Sequence, residues 1–142
     1  MPARSSAPAA PPPSAARRRT LALLLVIALA AHLVVLYLPG DDVPAVGFEV
    51  PGMDKAIHVA TFGVPALLGV LLARRVWPAA VLAVHAPLSE VLQAAQGLGR
   101  TGDPADAVAD LAGVALGLLA ARAALRRGPT GRPIGAAPGR GV

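Results

Sequence analysis

The chain has 142 residues, of which 55% are hydrophobic and 15% are charged, and its formal net charge is +5. A soluble domain of this size does not need apolar runs as long as those found here, and its helices show polar faces that these runs lack. The basic residues flank the apolar runs, and one Trp, one Tyr and two Phe offer little for base stacking. Cys is absent, which excludes disulfides and thiolate sites. We therefore expect a membrane protein that does not bind nucleic acid.

Four apolar segments predict an all-α, polytopic membrane protein with four transmembrane helices in a small bundle. Each segment has about the length that crosses the hydrocarbon core of a bilayer. The expected spans are residues 20–38, 55–73, 77–96 and 105–125. The flanking tails, 1–19 and 126–142, are rich in Pro, Ala, Gly and Arg, a composition typical of disordered segments.

Basic and acidic segments alternate along the chain. Most basic residues lie in three segments without acids, before the first span, between the second and third, and after the last: Arg4, Arg17, Arg18, Arg19, Arg74, Arg75, Arg122, Arg126, Arg127, Arg132 and Arg140. Arginines beside a span favour the cytoplasmic side of a membrane. The pattern predicts a multi-pass protein of the cell membrane with both termini cytoplasmic and two acidic loops outside.

The first span has an alternative interpretation as a signal peptide. Arg17 to Arg19 would form its basic region, and Ala28-Leu29-Ala30 fits a small-residue cleavage site. The apolar run, however, continues to Leu38, which favours a retained helix. Cleavage after Ala30 would leave the later topology unchanged.

Polar residues concentrate where three spans meet the outer side of the membrane. Ionisable groups in a bilayer are costly and usually face a cavity or a partner. The candidate site, catalytic or binding, consists of Asp54, His58, Glu90, Gln93, Arg100, Asp106 and Asp110. Within it, Asp54 and His58 are one helical turn apart, as are Glu90 and Gln93, so each pair shares a face.

Several of these polar residues also have a purely structural interpretation. Asp54 is a candidate helix N-cap, and Asp103-Pro104 has the pattern of an N-cap followed by an N1 proline. Lys55 and Arg100 are candidates for simple pairing with the nearby acids. Glu90 and Asp110 cannot cap from a helix interior, so each needs a hydrogen-bonding partner or a proton.

Residues inside the apolar spans make further predictions about packing. Gly113 and Gly117 form a GxxxG pair that allows close helix approach, and they share a face with Asp106 and Asp110. His32 and His85 stand alone in apolar runs, and we interpret them as packed or hydrogen-bonded neutral imidazoles. Pro87 removes a backbone hydrogen bond and is expected to kink the third span beside Glu90.

The candidate site allows several chemistries without requiring one. Its carboxylates suit a hard cation such as Mg²⁺, although the sequence does not require a metal. Lys55 and Arg100 suit a phosphate, and His58 or Glu90 suits proton transfer. Zinc is disfavoured without Cys and with one His in the cluster. No recognised nucleophile is present, so the sequence leaves open whether the protein is an enzyme.

The order and spacing of these polar residues resembles the VanZ-like family of small bacterial membrane proteins, over residues 20–125. The matching pattern is Asp54-Lys55-x-x-His58, Glu90-x-x-Gln93 and Arg100-x-x-Asp103-x-x-Asp106-x-x-x-Asp110-x-x-Gly113. The family pattern usually has Asn where this chain has Asp110. The resemblance implies a role in the cell envelope and in resistance to glycopeptide antibiotics such as teicoplanin, without implying a mechanism.

Three functions follow as alternatives. The site acts on or binds a cell-envelope lipid, such as a lipid-linked precursor or a phospholipid; it binds a glycopeptide antibiotic or a protein partner without chemistry; or its polar residues form a structural network that fixes helix register. A transporter is disfavoured because four helices show no inverted repeat.

Overall fold

In the computed structural model, which describes residues 14–37, 52–96 and 103–127, the chain forms four helices. They are α1 (Ala15–Tyr37), α2 (Met53–Ala73), α3 (Trp77–Gln96) and α4 (Pro104–Arg126). No strand occurs in the described residues. The all-α prediction is confirmed, and the helix bounds lie close to the expected spans.

Helix α1 begins earlier than the sequence predicts. Residues 15–19 are helical, whereas the whole segment 1–19 was expected to be disordered. The reason is local, because Ala15, Ala16 and the three arginines that follow are among the strongest helix formers. At the other end of the chain, Arg126 is also helical rather than part of a disordered tail. Residues 1–13 and 128–142 lie outside the described residues.

Three of the four helices, α1, α2 and α4, are long and apolar enough to cross a membrane. Large apolar side chains are nevertheless exposed on all four helices, for example Val26 on α1, Val64 on α2, Val84 on α3 and Val108 on α4. Water would not favour so many exposed apolar side chains, whereas lipid does. The apolar surface agrees with an integral membrane protein.

Helices α2 and α4 make the closest contact in the bundle, because glycines remove side chains from it. A Cβ atom at Gly113 would overlap the carbonyl oxygen of Val59, and one at Gly117 would overlap that of Gly63. Gly63 itself faces the Gly113 carbonyl, 3.0 Å from where its own Cβ would be. The structure confirms that the GxxxG pair is a helix-packing surface.

A short connection turns the chain between α2 and α3. Arg74 ends α2 in the left-handed conformation, with φ of 53°, and its backbone N–H donates to the Val70 carbonyl at 2.8 Å. Helix α3 starts at Trp77, so it must run back along α2. The start of α2, the end of α3 and the start of α4 therefore lie at one end of the bundle.

The opposite end of the bundle carries the described arginines. Arg18 lines a cavity with Ala73 and Trp77, and Arg122 lines another with Val76. The starts of α1 and α3 and the ends of α2 and α4 thus meet there. The bundle has one arginine-rich end and one end that holds the acidic residues, Lys55 and His58.

Candidate functional site

Lys55 is the centre of the exposed part of the polar cluster. It lies in the first turn of α2, and its Nζ is 3.3 Å from Asp54 Oδ2 and 3.0 Å from Asp103 Oδ2, and also pairs with Asp106. The ammonium group thereby joins the start of α2 to the start of α4. The predicted pairing of Lys55 with the nearby acids is present in the structure.

Of the two aspartates that the sequence suggests as helix caps, one caps a helix and the other does not. Asp103 is the N-cap of α4, since its side chain accepts from the Ala105 N–H at 2.8 Å and Pro104 follows at N1. That hydrogen bond, together with the Lys55 ammonium, lowers the pKa of Asp103. Asp54 is not a cap, because Gly52 occupies the N-cap position of α2 and Asp54 lies inside the first turn.

His58 and Asp110 form a buried pair one turn deeper than Lys55. His58 Nδ1 lies 2.9 Å from Asp110 Oδ1, and Asp110 is completely buried. An ionised Asp110 accepts the hydrogen bond from Nδ1–H, which leaves Nε2 facing Asp54 at 3.8 Å and Asp106 at 3.7 Å. The arrangement of an imidazole oriented by a buried carboxylate suits a proton acceptor or a ligand atom.

Glu90 reaches the same region from α3. Its Oε2 accepts the backbone N–H of Asp103 at 2.8 Å, so a negative charge lies at the N-terminus of α4, where the helix dipole favours it. Its other oxygen, Oε1, is buried and has no hydrogen-bonding partner among the described residues, and the same is true of Asp110 Oδ2. Buried carboxylate oxygens without a partner are costly, and they indicate a missing proton, cation or ligand.

Two of the predicted site residues stand apart from this cluster. Gln93 is buried, and its Nε2 donates to the Leu36 carbonyl at 2.8 Å. Leu36 is in the last turn of α1, so the amide bonds a carbonyl at the end of that helix. Gln93 therefore fastens α1 to α3. Arg100 lies outside the described residues.

The cluster contains two adjoining sets of donor atoms that share His58. In the outer set, Asp54, His58 and Asp106 each offer an atom within 4.8 Å of the others. The inner set, under the same limit, consists of His58, Glu90 and Asp110. Lys55 already pairs with both carboxylates of the outer set, whereas the inner set has no lysine or arginine contact among the described residues.

A groove of about 360 Å³ leads from the cluster along the bundle surface between α3 and α4. Its lining is apolar except for Glu90, which stands next to Val91 and Ala94 on α3 and faces Pro104 and Ala107 on α4. The groove also reaches Pro87, three residues before Glu90 on α3. It is therefore an apolar groove with one acidic side chain in its lining.

Sequence reasoning missed a second polar network, which joins residues of α1, α2 and α3. Thr61 O accepts from His32 Nδ1 at 3.1 Å, His32 Nε2 lies 3.2 Å from His85 Nδ1, and His85 Nε2 lies 2.9 Å from the Tyr37 hydroxyl. Because a carbonyl only accepts, one set of protons satisfies the chain: Tyr37 donates to His85, and His85 donates to His32. Both imidazoles are then neutral, as interpreted from the sequence. The sequence offered one indication of this network, because polar side chains inside apolar helices need hydrogen-bonding partners.

Comparison of the chain with protein-family models, with characterised proteins and with solved structures finds no match. The functional assignment therefore rests on the geometry of the cluster, the groove and the apolar surface.

Proposed function

We propose that this protein crosses the cell membrane four times, with both tails cytoplasmic and the polar cluster at the outer leaflet, and that it is a VanZ-like protein. The fourth crossing is α3, whose 20 residues run antiparallel to α2 and expose Val81, Val84 and Val91. A helix of that length is about 30 Å long, close to the hydrocarbon thickness. The arginines at the opposite end of the bundle support the orientation.

Single cysteines test this orientation directly, because the chain has no cysteine of its own. In spheroplasts, a membrane-impermeant maleimide is expected to label Met53→Cys at the polar end of the bundle. Arg127→Cys should react only after the membrane is permeabilised. The reverse labelling pattern would show that the polar cluster faces the cytoplasm. The size of the labelled chain also shows whether α1 is retained, since cleavage after Ala30 would shorten it visibly on a gel.

The proposed function of the cluster is to bind an amphiphilic lipid of the cell envelope. The groove between α3 and α4 carries this proposal, because its apolar walls suit a lipid chain and its lining includes Glu90. Ligand sites are typically concave and mostly apolar, with a few polar groups that orient the ligand. Glu90, the one polar residue in the groove lining, is the side chain that would orient the lipid headgroup.

A second candidate function is chemistry on the same lipid, and the His58–Asp110 pair favours it. A histidine held by a buried carboxylate is a common general base, and such a base contributes a factor of about 10² to 10⁴ to a rate. Purified protein incubated with labelled envelope lipids distinguishes the two functions. Turnover that is lost in His58→Gln would identify an enzyme, and lipid recovered bound but unchanged would identify a binding protein.

Matched substitutions in α4 test the lipid site. Ala107→Phe fills the groove, whereas Val108→Phe, one residue further on, adds the same ring to a side chain that is 67% exposed outside it. We expect Ala107→Phe, Glu90→Gln and Asp106→Asn to reduce lipid recovered with the purified protein at least tenfold, and to abolish any glycopeptide resistance that the protein confers. Val108→Phe should change neither.

The two polar substitutions also test the structural alternative. If Glu90→Gln and Asp106→Asn insert normally, unfold at the wild-type temperature and keep both lipid binding and resistance, the polar-site proposal is wrong. If they lose binding while insertion and stability remain normal, a purely structural network is excluded.

A further inference from the structure

The inner donor set has an unbalanced charge. Glu90 and Asp110 are 7% and 0% exposed, and their nearest shared basic group is the imidazole of His58. Lys55 does not compensate them, because its three acidic partners are Asp54, Asp103 and Asp106. Two buried carboxylates without a positive partner are strongly disfavoured in a membrane. The arrangement therefore needs a further proton or a bound cation.

The two oxygen atoms without a hydrogen bond belong to the same two residues. Glu90 Oε1 and Asp110 Oδ2 are both fully shielded and have no donor among the described residues. A proton shared between them would satisfy both oxygens, but it would leave one buried negative charge. A cation between the carboxylates satisfies both oxygens and neutralises their charge at once.

From these observations we infer that His58, Glu90 and Asp110 bind a divalent transition-metal ion, with Mn²⁺ as the ion that best fits one imidazole and two carboxylates. Imidazole nitrogen suits transition metals, and carboxylate oxygen suits Mn²⁺ as well as Mg²⁺ and Ca²⁺. His58 Nδ1 and Asp110 Oδ1 are 2.9 Å apart. A metal ion that displaces the proton between them would meet two ligand atoms at about the 3 Å spacing of neighbouring ligands of an octahedral ion with bonds of about 2.1 Å.

The surroundings of the inner set match those of known metal sites. Glu90 is held by the Asp103 backbone N–H at 2.8 Å, so one ligand is already oriented. Three protein ligands leave several positions of an octahedral ion open, and the groove beside Glu90 is the side from which water or a headgroup oxygen would reach them. The ion site stands without the lipid proposal, since it follows from the protein side chains alone.

Metal binding is measured with the full chain, purified in detergent without a histidine tag and stripped with a chelator. Titration with Mn²⁺, followed by loss of the free-ion electron paramagnetic resonance signal, is expected to show one bound ion per chain. Glu90→Gln and Asp110→Asn should each weaken this binding at least tenfold. Ser89→Ala is the matched control, because Ser89 is buried beside Glu90 and, among the described residues, donates to the Ala86 carbonyl of its own helix rather than to the site.

A second measurement separates loss of the ligand from loss of the fold. Mn²⁺ should raise the unfolding temperature of the wild type and of Ser89→Ala, because an ion that binds only the folded state stabilises it. It should not raise that of Glu90→Gln or Asp110→Asn, even where these variants unfold at the wild-type temperature without metal. Asp54→Asn removes a carboxylate of the outer set and is expected to weaken Mn²⁺ binding less than the inner substitutions do.

Three results would overturn the inference. They are a wild type that binds neither Mn²⁺ nor Zn²⁺ at millimolar concentration, inner substitutions that leave binding unchanged, and an Asp54→Asn variant that weakens binding as much as they do. The lipid assay is run separately with Ala107→Phe, which blocks the groove without removing a metal ligand. Loss of lipid with retained Mn²⁺ binding, or the reverse, shows which of the two proposals fails.

Discussion

Gly117→Leu is expected to force α2 and α4 apart and to lower the unfolding free energy by at least about 3 kcal/mol, the upper end of typical overpacking costs. The obstacle at Gly117 is the backbone carbonyl of Gly63, together with the Ala66 side chain and the Leu67 backbone nitrogen. Backbone atoms in a helix cannot turn aside as a flexible side chain can. The whole contact must therefore widen, and the unfolding temperature in detergent measures the loss.

Ala120→Leu is the matched control for this substitution. Ala120 lies one turn further along α4 and is exposed, so a leucine there meets lipid or detergent rather than α2. It should leave the unfolding temperature nearly unchanged. Equal stability of Gly117→Leu and Ala120→Leu would contradict the close approach of the two helices.

Phe62→Ala is expected to destabilise the bundle by about 3–5 kcal/mol, the range for removing a buried aromatic ring. Phe62 is completely buried, and its ring meets that of His32 edge to face with centroids 4.6 Å apart. It also lies against His85, at 5.7 Å. Its removal opens a cavity where α1, α2 and α3 meet. The measurement is again the unfolding temperature, followed by the fluorescence of Trp77.

Phe62→Leu keeps most of the volume and should cost clearly less than Phe62→Ala. Val64→Ala removes a side chain that is 46% exposed on the same helix and should have little effect. A cost for Val64→Ala as large as that for Phe62→Ala would mean that the core of the bundle lies elsewhere.

Much of the site was predictable because α4 carries its functional and packing residues on one face. Asp106, Asp110, Gly113 and Gly117 repeat at four, three and four residues, which is helical spacing. In the structure all four face α2, and the two aspartates meet Lys55 and His58 while the glycines meet backbone carbonyls. Because residues three or four apart on a helix lie on the same side of it, their spacing in the sequence is enough to predict which face of α4 they share.

Other features depend on how the helices are placed against one another, which no single helix encodes. Gln93 was expected beside Glu90 in the site, but it bonds the end of α1, because the two side chains leave α3 in directions that meet different neighbours. The contact of His32 with His85 joins residues 53 positions apart. The sequence suggests Asp54 as a helix cap, but α2 starts one residue earlier, at Met53, so Asp54 lies inside the first turn.

The pairing of His58 with Asp110 also bears on how the protein is made. Asp110 follows His58 by 52 residues, so α2 enters the membrane well before its partner is synthesised. An ionisable group inside a bilayer is costly, and the hydrogen bond from His58 on α2 offsets part of that cost for Asp110. The polar cluster is therefore complete only once α4 has packed against α2 and α3.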